Sequence, residues 1–115
     1  MARSYTKKTN YKKDKKVTIL EITTGQDESG YPVEEEAPIK NGENIWAYYR
    51  QASGEEFYAA ASQNYKVEVV FKIGWRDNLE NDMKILFRKV RYAITRIDDY
   101  EGYKKDLTIY AYAIN

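Results

Sequence analysis

The sequence predicts a mainly β fold: a small antiparallel β-barrel of about six strands, with one short α-helix and a long loop. Short segments rich in β-branched and aromatic residues recur along the chain, with turn residues between them, which is typical of small barrels or sandwiches. A single segment has the period of an amphipathic helix. The 115 residues suffice for one core, and an open sheet of that size would expose its edges, so we expect closure or pairing with neighbouring molecules.

Six segments have the alternating pattern of strands. The clearest comprises residues 65–73, whose apolar residues would line one face while charged residues line the other. That apolar face would consist of Tyr65, Val67, Val69, Phe71 and Ile73. The other five segments are residues 17–23, 45–52, 83–87, 90–97 and 106–114. In residues 90–97 the alternation breaks at Ile97, and a charged turn around Gly102 is expected to join the last two strands.

One helix is predicted over residues 53–64. Ser53 and Glu56 have the spacing of a capping box, in which each side chain accepts a hydrogen bond from the backbone of the other residue. Phe57, Ala60 and Ala61 would share one face. We expect this helix to plug one end of the barrel or cover one of its faces, with Phe57 inserted and the acidic first turn outward.

The chain divides into a basic N-terminal arm, residues 1–16, and a single barrel domain, residues 17–115. The arm has seven basic residues and one acid, a net charge of +6, and the remainder of the chain carries −5. Such an arm is typically flexible and contacts an anionic partner; a solvated tail is the alternative. The candidate docking residues are Arg3, Lys7, Lys8, Lys12, Lys13, Lys15 and Lys16.

Residues 25–44 form the predicted long loop. They contain both prolines, several glycines and a cluster of acids, with a short extended piece around residues 31–33. The segment is longer than most connections in compact domains, and long loops tend to be functional or disordered. An acidic loop that serves only solubility is the alternative.

No enzyme, metal or cofactor chemistry is predicted. Cys and His are absent, which removes thiolate nucleophiles, Cys/His zinc sites and Ser-His arrangements. The neighbouring carboxylates Glu55 and Glu56, like Asp98 and Asp99, give no sign of a cleft with a raised pKa. No apolar run is long enough for a membrane helix, and no secretory signal is evident. A soluble protein made in a reducing cytoplasm is expected.

A nucleic-acid-binding barrel is the main alternative function. Four tyrosines on strand faces, together with the Lys-rich arm, could stack the bases of a single strand as an OB-fold does. These tyrosines are Tyr48, Tyr49, Tyr110 and Tyr112. The net negative body opposes this function, because it repels phosphate.

From Val17 onward, the order of motifs resembles the head-closure proteins of long-tailed bacteriophages and prophages, also called head-tail joining or head-tail adaptor proteins. After an early strand the motifs are Asp27-Glu28-Ser29-Gly30, Trp46-Ala47, Ser53-Gly54-x-Glu56, Trp75-Arg76, Tyr92-Ala93-Ile94 and Leu107-x-Ile109. Two positions depart from the family pattern. Lys89 stands where the family often has Gly, and Gly74 stands where it commonly has Arg.

This resemblance implies a structural virion protein of the phage neck. Its subunits would form a homo-oligomeric ring, twelve-fold by the resemblance, below the portal and its adaptor protein. The ring would continue the channel for the genomic DNA and receive the tail completion or tail terminator protein. The expected locations are the virion neck and, during assembly, the host cytoplasm, with no membrane contact. The basic arm would then dock on an acidic surface of the neighbouring connector ring, with DNA phosphate as the second choice.

In relatives, a long loop near residues 25–44 projects into the channel and can close it. The candidate channel and gate residues are therefore Asp27, Glu28, Tyr31, Glu34, Glu35, Glu36 and Glu43. Acids suit a channel wall because they repel DNA phosphates. They also repel each other across the ring, so a closed gate would need backbone pairing between subunits. Residues 31–33 are the strand predicted for that pairing.

Overall fold

In the computed structural model, which describes residues 12–99 and 105–114, the chain forms a closed antiparallel barrel with one helix. The elements of this described part are β1 (Lys15–Gln26), β2 (Pro32–Pro38), β3 (Ile45–Gln51), α1 (Gly54–Ala61), β4 (Val69–Ile73), β5 (Lys84–Phe87), β6 (Val90–Asp99) and β7 (Leu107–Ala113). The turn expected around Gly102 lies outside the described residues.

Six strands close the barrel in the order β1-β3-β4-β7-β6-β5. The closing contact pairs Thr18 of β1 with Leu86 of β5, and Leu20 with Lys84. The strand β2 lies outside this ring and pairs with the distal half of β1. The predicted six-stranded antiparallel barrel is therefore confirmed, with β2 as an addition.

The barrel interior is filled by side chains at alternate positions of the six barrel strands, with one interruption in β6. Phe71, Ile19 and Ile85 are fully buried. An aromatic cluster surrounds Phe71, with ring centroids 5.5 Å from Tyr49 and 5.4 Å from Tyr92. Because adjacent positions in a strand point to opposite sides, the charged residues between these positions remain on the outside of the barrel.

The break in alternation at Ile97 marks a β-bulge in β6. The register with β7 shifts between Ile94 and Arg96, and the hydroxyl of Thr95 donates a hydrogen bond to the carbonyl of Lys66. The extra residue restores Ile97 to the interior side, where it packs against the core. The irregular period of the sequence therefore has a structural cause.

The helix α1 differs from expectation in its orientation. It is capped by Ser53 through both hydrogen bonds of the capping box, but no residue of it is buried. Its Ala59 and Ala60 line a groove shared with β6 and β7, while Phe57 is 43% exposed. The prediction that Phe57 inserts into the barrel was wrong. The helix lies over the outer wall, and Glu56, Ala59 and Ala60 are on its side that faces the groove.

Two other segments differ from the predicted strands. Strand β4 begins at Val69 and not at Tyr65, which is exposed. Within the segment predicted as a loop, residues 32–38 form β2, which is longer than the extended piece expected at residues 31–33. The pairing with β1 satisfies the backbone groups on the inner edge of this otherwise polar segment.

Candidate functional site

The candidate site is a hairpin formed by the distal half of β1 and by β2. The two strands pair antiparallel from Leu20 opposite Pro38 to Gln26 opposite Pro32. Beyond Leu20, β1 has β2 as its paired strand, because β5 pairs with Thr18–Leu20 alone. The hairpin therefore extends past the region where the barrel closes.

The tip of the hairpin is fixed by Asp27. Its carboxylate accepts hydrogen bonds from the backbone N–H groups of Ser29 and Tyr31, each at 2.9 Å. Gly30 has a φ of 85°, a conformation that glycine adopts without strain. Glu28 is exposed in this turn, and the side chain of Tyr31 is 68% exposed. Asp27 is thus a structural residue of the turn, whereas Glu28 and Tyr31 face solvent.

The acids of β2 lie on both faces of the hairpin. Glu34 and Glu36 point to one side, and Glu35 points to the other with Glu21 of β1, since successive residues alternate. Glu36 forms an ion pair with Arg91 of β6. The face with Glu34 and Glu36 is therefore the one turned toward the outer wall of the barrel.

The hairpin is strongly acidic as a whole. Residues 17–38 contain six acids and no Lys or Arg. All three acids of β2 are exposed residues, although the side chain of Glu36 is partly covered by Arg91. Because the segment has no basic residue of its own, its negative potential is reduced mainly by Arg91, and salt screens the remainder over about 8 Å at physiological ionic strength.

The outer edge of β2 is open. The amide of Asp27 donates to the carbonyl of Tyr31, and the amide of Ile39 donates to the carbonyl of Ile19. The backbone N–H and C=O groups of the odd-numbered residues of β2 therefore bond to β1. Those of the even-numbered residues point away from β1, toward the open edge. Pro32 and Pro38 occupy outward positions and have no N–H. Within β2, only Glu34 and Glu36 offer outward backbone donors.

The base of the hairpin is held by the turn between β4 and β5. The guanidinium of Arg76 donates to the carbonyls of Lys40, at 3.2 Å, and of Asn41, at 2.8 Å. Asn78 also donates to the carbonyl of Lys40. Glu43 is exposed in this region, so it lies at the base and apart from the other candidate gate residues.

The described part of the basic arm contacts the barrel. Lys13 forms an ion pair with Asp106 at 2.7 Å, and Lys15 forms one with Asp14 at 2.8 Å. Lys16 lies in β1, with its ammonium 4.6 Å from the ring centroid of Trp46. Lys12 is exposed. Arg3, Lys7 and Lys8 lie outside the described residues.

A structural ion pair that the sequence did not indicate attaches α1 to the barrel. Both guanidinium Nη atoms of Arg50, on β3, donate to the carboxylate of Glu56 at 2.8 Å. This pairing lowers the pKa of Glu56 to about 2, with a smaller contribution from the Ser53 backbone. Arg50 and Glu56 are six residues apart, with the end of β3 and the helix cap between them. This spacing does not by itself predict an ion pair.

Similarity to known proteins identifies the family of this chain. A model of the family described as phage head completion protein matches residues 10–113. The chain belongs to the phage head completion protein family. Among curated proteins, none matches it. The solution structure of protein SF1141 from Shigella flexneri 2a is similar, with a TM-score of 0.69 and 17% identity over 87% of this chain and 91% of that one; this likeness concerns the fold alone.

Membership of the head completion family confirms the bacteriophage assignment and the structural class. The protein is a structural protein of a phage head. Within the described residues there is no group of acids that could hold a metal ion. Likewise, no helix in that part of the chain has the length and apolar character needed to cross a membrane.

The tyrosines of the alternative nucleic-acid barrel do not form one open stacking surface. Tyr49 faces the interior, 4.7 Å from the ring centroid of Phe87. On the outer wall, Arg96 lies 4.2 Å from the ring centroid of Tyr110. The ammonium of Lys66 lies 5.5 Å from the ring centroid of Tyr112. These cations occupy ring faces that bases would need. The head completion family is thus the better guide to function.

Proposed function

We propose that this head completion protein forms a ring in the phage neck, below the portal and its adaptor protein. The ring continues the DNA channel and provides the surface on which the tail completion or terminator protein docks. The observation that supports this function best is the acidic hairpin. A closed barrel gives each subunit a rigid body, and the hairpin extends from it with acids on both faces.

In the proposed ring, the hairpins line the channel. Glu35 and Glu21 share the face turned away from Arg91, and they would repel the phosphates of passing DNA. A duplex that is repelled from the wall slides without binding to it, whereas a basic wall would retain it through phosphate contacts. This arrangement uses the acids for passage of DNA and not for catalysis.

The open edge of β2 gives the gate a physical basis. Neighbouring hairpins can pair through the outward N–H and C=O groups of Glu34 and Glu36, and Pro32 and Pro38 end the pairing on both sides. The expected strand at residues 31–33 is less suitable, because Tyr31 bonds to Asp27 within the hairpin. A pairing of two residues opposed by glutamate repulsion is weak. Such a gate would open readily when the tail binds.

The basic arm is proposed to dock on an acidic surface of the adaptor ring, with DNA phosphate as the second choice. The Lys13–Asp106 ion pair and the start of β1 at Lys15 hold the root of the arm on the barrel. The residues before them would supply the charge for docking. Since ring contacts of small subunits are individually weak, a template that concentrates the subunits promotes assembly.

The proposal is tested by adding the purified protein to a portal–adaptor complex. Light scattering and negative-stain microscopy should show a ring on the complex, and the free protein should assemble less or not at all. A protein that stays monomeric in both conditions and does not co-sediment with the complex would contradict the proposed function. A protein that instead binds single-stranded DNA and ignores the complex would favour the nucleic-acid-binding barrel.

A further inference from the structure

The helix α1 carries its large side chains on the side away from the barrel. Ala59 and Ala60 face the groove of about 530 Å³ between the helix and the outer wall. Tyr58 is 70% exposed, and its ring lies 5.3 Å from that of Phe57 in an edge-to-face arrangement. A surface helix normally turns its bulky apolar residues inward. The inverted pattern leaves an aromatic surface exposed on the outer face of α1.

Polar contacts, and not burial of its aromatic residues, hold α1 on the barrel. A helix of eight residues is too short to be stable alone in water, and most helices depend on tertiary packing. Here the cap at Ser53 and the pair between Glu56 and Arg50 hold it in place. These polar contacts fix a helix whose aromatic face is still accessible to a partner.

A second exposed aromatic surface lies at the seam of β1 and β3. Lys16 and Trp46 are directly paired across these strands. Trp46 is 55% exposed and the ammonium of Lys16 lies 4.6 Å from its ring centroid. In the strand order of the barrel, this seam is separated from the β6–β7 groove under α1 by β4 on one side and by β5 on the other. The helix itself is attached to β3 at Arg50, at the end of that strand opposite to Trp46, so the two aromatic surfaces are distinct.

We propose that α1 of one copy packs on the Lys16–Trp46 seam of the next copy. The two surfaces are complementary: both are aromatic, α1 has acids in its first turn and no base in its last turn, and the seam is basic. The exposed acid that meets Lys16 is Glu55, since Glu56 is bound to Arg50. This inference rests on the proposed ring and specifies its subunit interface.

The symmetry of this contact follows from the placement of its two surfaces. Because α1 of one copy meets a different surface of the next, the contact is heterologous and leaves one α1 and one seam free at the ends of any chain of copies. Such contacts are satisfied throughout only when the copies close into a ring. A contact of α1 with α1 would instead produce two-fold dimers.

Exchanging the charges tests the pairing. With the portal–adaptor complex as template, Glu55→Lys alone and Lys16→Glu alone should each assemble about ten-fold less than the unmodified protein, because like charges then face each other. An equal mixture of the two variants should recover assembly, with the variants alternating around the ring. Glu80→Lys, at an exposed loop position, is the matched control and should assemble normally. A mixture that fails to recover would overturn the inference.

Crosslinking tests the same contact independently of affinity. The chain has no cysteine, so Glu55→Cys and Lys16→Cys each introduce a single thiol. A short bismaleimide should link the two variants only when they are mixed on the template. Rings that form without this crosslink, or a link of Glu55→Cys to itself, would refute the interface. If the unmodified protein forms no ring on the template, the proposed function itself is wrong, and not only the proposed interface.

Discussion

Arg50 at the end of β3 and Glu56 in the first turn of α1 form a two-bond ion pair, with both nitrogen–oxygen distances at 2.8 Å. The same Glu56 carboxylate accepts from the backbone N–H of Ser53 at 2.9 Å. One side chain therefore completes the helix cap and joins the helix to the barrel wall. This contact explains how α1 keeps its position without a buried residue.

Replacing Glu56 by Gln should lower the free energy of unfolding by about 1 kcal/mol at pH 7, a value limited by partial exposure of the pair. Glutamine can still form the capping box, so the change isolates the ion pair. Folding lowers the pKa of Glu56 from 4.5 to about 2. The pair's stabilisation is therefore complete above about pH 5 and is lost as the pH falls from 4.5 toward 2.

Urea titrations at pH 7 and at pH 2.5 measure this effect. The difference between the unmodified protein and Glu56→Gln should shrink at the lower pH. Glu55→Gln is the control, since Glu55 is an exposed neighbour in the same helical turn, and it should differ little at either pH. Equal losses for both variants would contradict a specific role of the Arg50–Glu56 pair.

Lys89→Gly should stabilise the barrel. Arg88 and Lys89 connect β5 to β6 as a two-residue turn, with φ values of 54° and 68°. Positive φ at both positions is typical of a type I′ turn, which favours glycine at the second position. Relieving the left-handed conformation should raise the free energy of unfolding by about 1 kcal/mol.

Thermal unfolding of Lys89→Gly should be compared with that of Lys89→Ala. Alanine removes the charge but keeps the unfavourable φ, so it should not reproduce the gain. If both variants were stabilised equally, charge and not backbone conformation would be the cause. The positive φ of Lys89 is the physical reason why glycine would suit this position.

Gly42→Ala should destabilise the base of the hairpin. A Cβ at this position would lie 2.4 Å from Cγ1 of Ile39, which is buried, and 3.2 Å from its carbonyl oxygen. Forcing extra atoms into such a site typically costs about 1–3 kcal/mol. Gly54→Ala is the control, because a Cβ there meets no atom within 4 Å. Denaturant titration should show a loss for Gly42→Ala only; equal stability of the two would show that Ile39 moves freely.

Removing residues 2–12 should leave the melting temperature nearly unchanged and weaken docking on the portal–adaptor complex. This truncation spares Lys13, which pairs with Asp106, and Lys15, where β1 begins. The expected loss comes from removing basic charge that faces the complex, so it should be smaller at high salt. Co-sedimentation at low and high salt measures it. Docking that is unaffected by the truncation would assign the arm another role.

The barrel could be predicted from the sequence because its strands combine β-branched residues with a regular two-residue alternation. The apolar positions from Val67 to Ile73 follow this rule and are buried as predicted. Even the irregularity at Ile97 was visible in the sequence, and it corresponds to the bulge in β6. In these segments local pattern and burial agree.

Strand β2 and the orientation of α1 were not predictable in the same way. Strand β2 contains three consecutive glutamates between two prolines, a composition with low strand propensity, and it forms because β1 provides a partner. In α1, periodicity placed Phe57 with the alanines, but the Arg50–Glu56 pair turns the Glu56 side toward the barrel. Both outcomes depend on contacts between segments that no local pattern records.

Shortening the acidic hairpin tests its proposed role in retaining DNA in the head. Deleting Thr23, Thr24, Glu34 and Glu35 removes two facing residues from each strand, about 7 Å of hairpin, and with them the outward backbone donor of Glu34. The deletion keeps the Asp27 turn and the facing of the remaining side chains, since the side-chain period in a strand is two. The barrel and the arm are unchanged, so the variant should fold and dock. Glu28→Gln, which keeps the full length, is the control.

The decisive measurement is the fraction of heads that still contain DNA before tails are added, determined by density-gradient sedimentation after nuclease treatment. Heads assembled with the shortened hairpin should lose their DNA, whereas those with the unmodified protein or Glu28→Gln should retain it. If heads with the shortened hairpin retain DNA and produce infectious particles normally, the hairpin is not the gate.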